Sequence, residues 1–241
     1  MKDRYTFEEF CGIIDQLLGE NGCPWDKEQT HESLAPNFLE ECYEVIDAAL
    51  NGDGTALCEE LGDVLLHVVI NSKMSEIDGG FSLADVVSGV SRKMIGRHPH
   101  IFKTPTALTS ADVLNNWDDI KKKEKGYASD ADALKRIPRA APALVRAAKA
   151  LSKAGKTSVD APPASMSAED ALAEMGRLLD ELRAVYSTNN DKIAALIGES
   201  LLTLTAFSTK MQINAEFALT NAIEQFINRF EIVEKRTFLL E

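Results

Sequence analysis

Leu39-Glu40-Glu41-Cys42-Tyr43-Glu44-Val45-Ile46-Asp47-Ala48 and, a short break later, Glu59-Glu60-Leu61-Gly62-Asp63-Val64-Leu65 decide how this chain is read. Both stretches place acids at three- and four-residue spacing inside apolar runs. Residues so spaced on a helix lie roughly 5–6 Å apart on one face. Glu41 is thereby paired with Glu44, Glu40 with Glu44, and Glu60 with Asp63. Two such helices packed side by side bring the pairs together. Each like-charged pair at ~5 Å then costs about 3 kcal/mol at an effective dielectric near 20, so converged carboxylates need a cation. All-oxygen ligands select a hard one, most naturally Mg²⁺. Glu-Glu-x-x-Glu alone is common on solvated helix faces, where charge merely solubilises. The second cluster adds weight, because Leu61, Val64, Leu65, Val68 and Val69 surround Glu60 and Asp63 as expected core residues. Gly62 weakens a helix by about 1 kcal/mol relative to Ala, and makes sense where something must approach the backbone.

Outward from these stretches, helical periodicity runs from end to end. Phe7, Phe10, Cys11, Ile14, Leu17 and Leu18 follow the helical spacing, with Thr6 and Glu9 placed as a capping box. Residues 21–30 read as a loop punctuated by Gly22 and Pro24. A helix over residues 32–50 has Phe38, Cys42, Val45 and Ala49 as its expected buried stripe. Asn51-Gly52-Asp53-Gly54 is a strong turn. A helix over residues 55–75 follows; its Val68-Val69-Ile70 run suggests a strand, but the apolar pattern outlasts strand length. Ser82 and Asp85 cap a helix carrying Val86, Val87, Val90 and Met94, ended by Gly96 and Pro99. A short helix over residues 110–125 turns Leu114, Trp117 and Ile120 inward. Pro138 and Pro142 break the next stretch, and Pro142 suits the first turn of a helix ending near Gly155. Residues 156–167 read as a linker or long loop. Three more helices are expected, opened by Ser167/Asp170 and then over residues 191–211 and 215–235. No hairpin signal appears, and the class is all-α.

The chain has 241 residues, 45% hydrophobic and 27% charged, which is ordinary for a soluble globular protein. No apolar run approaches the ~20 residues of a membrane helix, and the N-terminus lacks a signal-peptide core. Cys11, Cys23, Cys42 and Cys58 show no C-x-x-C spacing. They read as reduced thiols, which predicts a cytoplasmic protein. A formal net charge of −12 argues against binding a nucleic-acid polymer. It allows a small phosphorylated ligand, because a divalent metal screens carboxylates from phosphates.

The C-terminal third echoes the first half. Asp180-Glu181 matches Glu40-Glu41, with Ala184 in place of the third acid. Gly198-Glu199 matches Gly62-Asp63, with Leu196 in place of Glu60, and Gln225 stands for Lys93. Chance similarity between amphipathic helices explains the periodicity equally well. If the repeat is real, its second copy holds too few ligands for Mg²⁺ and serves packing or dimerisation.

Four carboxylates on two helices suit attack of water on a phosphoryl group. Phosphoryl transfer also wants cations for phosphates that a metal does not reach. Lys27, Lys93 and Arg97 are the candidates, each against the reading of a solvated surface charge. His98 and His100 either serve a metal, or hold a turn or line a pocket rim. His67 lies on a face similar to that of Glu60; it either touches the site or is a buried, hydrogen-bonded residue. Cys23-Pro24-Trp25-Asp26 either covers a nucleotide base or anchors a structural loop.

Gly22-Cys23-Pro24-Trp25-Asp26-Lys27-Glu28-Gln29-Thr30, the two acidic stretches, and Arg97-His98-Pro99-His100-Ile101-Phe102 together resemble MazG, a family of all-α nucleoside triphosphate pyrophosphohydrolases. Asn116-Trp117 with Lys121 and Glu124, Ile137-Pro138, and Pro142-Ala143-Leu144 with Arg146-Ala147 fit as well. The resemblance covers most of residues 6–155 and, more weakly, 167–236. It implies hydrolysis of NTPs or dNTPs between the α and β phosphates, giving a nucleoside monophosphate and pyrophosphate, as a house-cleaning activity. It also implies Mg²⁺ dependence and a homodimer with four-helix-bundle packing. By position, Glu41, Glu44, Glu60 and Asp63 become metal ligands and Glu40 a second-shell or water-orienting group; Lys93 and Arg97 become phosphate contacts. The expected organisation is two tandem MazG-like domains: residues 1–126 catalytic, 127–166 a connecting helix and linker, and 167–241 a degenerate copy, with all activity in the first. A narrower dUTP or dCTP pyrophosphatase and a non-catalytic, regulatory nucleotide-binding dimer remain the alternatives.

Overall fold

The computed structural model describes residues 1–103, 128–186 and 190–238, with positions 109, 112, 113, 117, 120, 124 and 126 between. Every regular element among them is a helix. The chain divides into two compact units, Met1–Lys121 and Lys122–Glu241.

In the first unit α1 (Phe7–Leu18) starts with the expected box: Thr6 accepts from the Glu9 amide, and the Glu9 carboxylate accepts from the Thr6 amide. The expected loop after it contains a one-turn helix, α2 (Pro24–Lys27), started by the fixed φ of Pro24 at its first position. Gly22 makes this turn possible. A Cβ there would lie 2.0 Å from the Leu17 carbonyl oxygen, which accepts from the Cys23 amide at 2.8 Å.

The long pair α3 (His31–Asn51) and α4 (Gly54–Ile77) forms the body of the unit. Gly52 ends α3 in the left-handed region, at φ 70°, where its amide reaches the Ala48 and Ala49 carbonyls. Asp53 then caps α4, its Oδ1 accepting from Thr55 and Ala56 at 3.0 Å each. So tight a reversal leaves the helices antiparallel and fixes their register. α5 (Leu83–Arg97), boxed by Ser82 and Asp85, and the single turn α6 (Pro99–Phe102) follow. Ile14, Leu34, Val69 and Ile70 make the buried core, flanked by Phe10, Leu17, Leu66, Met74 and Leu83. Lys73 ties α4 to α1 through Asp15 at 3.0 Å.

The burial stripes differ from the sequence reading. On α3 it is Leu34 and Ala48 that are buried, while Phe38 reaches solvent and Ala49 is exposed. On α4, Val69 is sealed, but Leu61 and Leu65 are 50% and 39% exposed. Both helices therefore carry a second apolar face, Leu39, Tyr43, Ile46 and Leu50 on α3 beside Leu61 and Leu65 on α4, that the unit's own core leaves uncovered.

The second unit holds α7 (Asp130–Lys135), a turn the sequence reading omitted, α8 (Ala143–Ala154), α9 (Ala168–Val185), α10 (Asn190–Lys210) and α11 (Ala215–Phe238). α9 and α10 pack as a pair, as α3 and α4 do. Pro142 precedes α8 as its cap rather than sitting in its first turn. The segment expected as a linker is packed: Ala164 is buried and shares a core cluster with Leu151 and Ala206. The expected helix over residues 110–125 lies largely outside the described residues. Of its inward positions, Trp117 and Ile120 are partly buried.

Candidate active site

The two-residue α3–α4 reversal sets Glu41 and Glu44 of α3 against Glu60 and Asp63 of α4. Glu41, Glu60 and Asp63, all partly buried, each present a carboxylate oxygen within 4.8 Å of the other two. Glu44 completes the group. It acts on both Glu41 and Glu60 as a charge and as a hydrogen-bonding neighbour. Burial, then the charges of Asp63, Glu44 and Glu40, push the Glu41 carboxyl above its ordinary range. Burial and then Glu44, Glu59 and Asp63 do the same to Glu60. No cation appears among the groups acting on either. Carboxylates that raise one another's pKa without an internal counter-charge are a donor set fitted to a hard divalent cation.

Of the three basic candidates, Lys27 is engaged elsewhere. Lys27 donates from Nζ to the Glu20 carbonyl at 2.9 Å, closing the α1–α2 turn. Lys93 and Arg97 lie on the last two turns of α5. His98 holds a turn, as one of the readings had it: its Nδ1 meets the Met94 carbonyl at 2.7 Å, and its ring stands edge-on to Trp117 with centroids 5.0 Å apart.

Beside the acids lies a pair that the sequence reading treated separately. Phe38, one turn before Glu41, and His67, one turn after Asp63, stack with centroids 5.3 Å apart and planes 21° from parallel. His67 is 6% exposed. Burial lowers its pKa, against the opposing pull of Asp63. The expected hydrogen bond is not made among the described residues: His67 Nδ1 is buried without a partner there. The surrounding backbone is fixed, since His31 Nδ1 donates to Asn71 Oδ1 at 2.7 Å and Asn71 Nδ2 donates to the His67 carbonyl at 2.8 Å. Recurrence at i−3 and i+4 from known acids was the available signal; the cross-helix register needed to read it was not.

In the second unit the corresponding acids meet a different fate. Arg177, one turn before Glu181, pairs with Glu181 and grips Glu174 with two N–H groups, Nε at 2.8 Å. Glu199, across on α10, adds its charge to the same guanidinium. There Glu181 has a guanidinium beside it within the chain, and Asp180 pairs with Arg183 at 2.8 Å.

Residues 29–102, which contain α3, α4 and both acidic stretches, match the model of the MazG nucleotide pyrophosphohydrolase domain. A nucleoside triphosphate pyrophosphohydrolase of Escherichia coli is 36% identical over 230 residues, spanning 92% of this chain and 87% of that protein. The chain belongs to the MazG family. The MazG nucleoside triphosphate pyrophosphohydrolase/pyrophosphatase of Thermotoga maritima is 32% identical over 98% of this chain and 89% of its own length. A Bacillus subtilis protein, YabN, is 47% identical over 140 residues, 58% of this chain but 28% of that protein. The MazG domain match thus falls on the helix pair that carries the acidic cluster.

Proposed function

We propose that this MazG chain hydrolyses nucleoside and deoxynucleoside triphosphates at the α–β phosphate bond, releasing a nucleoside monophosphate and pyrophosphate and so clearing the nucleotide pool. The convergence of Glu41, Glu60 and Asp63 oxygens within 4.8 Å carries the reading. Glu41, Glu44, Glu60 and Asp63 would hold Mg²⁺, which when bound supplies neutralisation of phosphate oxygens and a more acidic water. The chain's own part is positional. The Gly52–Asp53 reversal locks α3 against α4 so that the ligands stand ready without reorganisation. Glu40, one residue from Glu41, orients the attacking water and accepts its proton. Lys93 and Arg97 meet the outgoing pyrophosphate as it is released.

The working form is a homodimer in the cytoplasm. The second apolar faces of α3 and α4 support the dimer. The four free thiols support a reducing compartment, and among the described residues no helix is long and apolar enough to cross a membrane. The degenerate second unit, with Arg177 paired to Glu174 and Glu181, is structural.

The deciding measurement is pyrophosphate release from a panel of NTPs and dNTPs with and without Mg²⁺. Metal-dependent release that Glu41→Gln abolishes, with the helical spectrum unchanged, is the expected result. Undiminished turnover in that variant removes Glu41 from the site, and orthophosphate as the product defeats cleavage at the α–β bond.

A further inference from the structure

His67 keeps a polar atom sealed from water and without a partner among the described residues. Such an atom costs stability, and a leucine would fill the position without that cost. What imidazole offers over leucine is a flat surface, and that surface lies against Phe38. Phe38 is 36% exposed, so part of its ring remains open to solvent. The pair stands one helical turn from Glu41 on α3 and one turn from Asp63 on α4. A nucleotide held by its phosphates at the carboxylates has its nucleoside end about one turn away. The alignment of Asp180-Glu181 with Glu40-Glu41 and of Gly198-Glu199 with Gly62-Asp63 allows a comparison. The positions matching Phe38 and His67 in the other copy are Leu178 and Thr203, 1% and 4% exposed. The copy that lost the carboxylates also lacks the aromatic pair and buries both positions.

We propose that Phe38, backed by His67, is the surface on which the substrate's base stacks. This rests on the nucleotide reading above and specifies where that site receives the nucleoside. Stacking on a π-face serves every base, so the seat predicts tolerance across bases, with the phosphate end supplying the common anchor. His67 is a positioning residue: as a flat partner stacked on Phe38 it holds that ring in one plane.

The test is equilibrium binding of the four nucleoside monophosphates and, separately, of pyrophosphate to the full chain with Mg²⁺, which requires no turnover. Phe38→Leu keeps an apolar side chain and removes the flat face. It is expected to weaken all four monophosphates about 10-fold, within what a base–aromatic stack supplies, and to leave pyrophosphate binding unchanged. Phe38→Tyr is expected to bind within about twofold of the wild type, and His67→Leu to weaken the monophosphates by a smaller factor. Saturation transfer from aromatic ring protons to base protons should be seen in the wild type and lost in Phe38→Leu. Unchanged monophosphate binding in Phe38→Leu, an equal loss for pyrophosphate, or no monophosphate binding by the wild type overturns the proposal. If Phe38→Leu loses base binding in a chain that releases no pyrophosphate, the seat stands and the hydrolytic reading falls.

Discussion

Glu41 on α3 and Asp63 on α4 bring carboxylate oxygens within 4.8 Å of each other and of Glu60, and Asp63 and Glu44 each raise the charge burden on both Glu41 and Glu60. Adjacent like charges of this kind are tolerated in a marginally stable domain when they serve a ligand. The consequences are measurable.

Removing one member should be felt mainly in catalysis. Glu60→Gln is expected to lower kcat on the order of 100-fold or more, as loss of one preorganised charge contact does, while the helical spectrum is retained. Glu59→Gln, an exposed neighbour on α4, should leave pyrophosphate release essentially intact. Equal losses in both would place the effect in the helix and not in the cluster.

The raised carboxyls also give a pH dependence of definite sign. Glu41 and Glu60 bind protons more tightly folded than unfolded. Their contribution to stability is therefore complete below the ordinary carboxylate range and is lost as pH rises through their elevated folded values. Without divalent cation, the wild type should lose Tm relative to the Glu41→Gln/Glu60→Gln double variant as pH rises above about 4.5. Saturating Mg²⁺ should reverse the difference, since a ligand at 100 times its Kd adds about 2.7 kcal/mol. The comparison with the double variant matters, because carboxyls such as Glu9, Asp85 and Asp132 shift downward and pull the wild-type profile the other way. A wild-type and double-variant difference that is flat with pH would show the cluster to be uncoupled.

Gly62 lies between Leu61 and Asp63 with nothing within 4 Å of where a Cβ would stand. In the subunit as described, Gly62→Ala should stabilise α4 by about 1 kcal/mol, read as a higher Tm. A fall in Tm, together with weaker self-association in light scattering, would instead place a second copy against this face.

The second unit should be indifferent to the chemistry. Arg177→Ala breaks pairs to Glu174 and Glu181 on a side chain that is half exposed. The expected result is a slight loss of Tm, as for a solvent-screened surface pair, with pyrophosphate release unchanged. Loss of turnover in Glu199→Gln would return catalytic weight to the second copy.

Much of the fold was legible because local chemistry specifies it. Thr6/Glu9, Ser82/Asp85 and Ser167/Asp170 form the caps their spacing announces, and the Gly52–Asp53 turn forms where its composition places it. The errors fall where long-range packing decides. Leu61, Leu65 and Ala49 look like core on periodicity alone, yet each points away from the unit's interior. A helix with two apolar faces offers no local sign of which face its own domain covers. The segment before α9 reads as linker from its Pro and Ser content, yet Ala164 is buried against Leu151 and Ala206.

The sequence by itself determined that the chain is helical, where α3 and α4 turn, and that Glu41 is spaced to pair with Glu44 and Glu60 with Asp63, because caps, turns and i, i+3, i+4 spacing act over a few residues. Only the tertiary structure decided that Phe38 stacks on His67 and that Lys27 is spent on the Glu20 carbonyl. It alone showed Arg177 paired with Glu174 and Glu181 in the second unit. Those relations depend on the register between helices, which the packed core sets and no single stretch of sequence encodes.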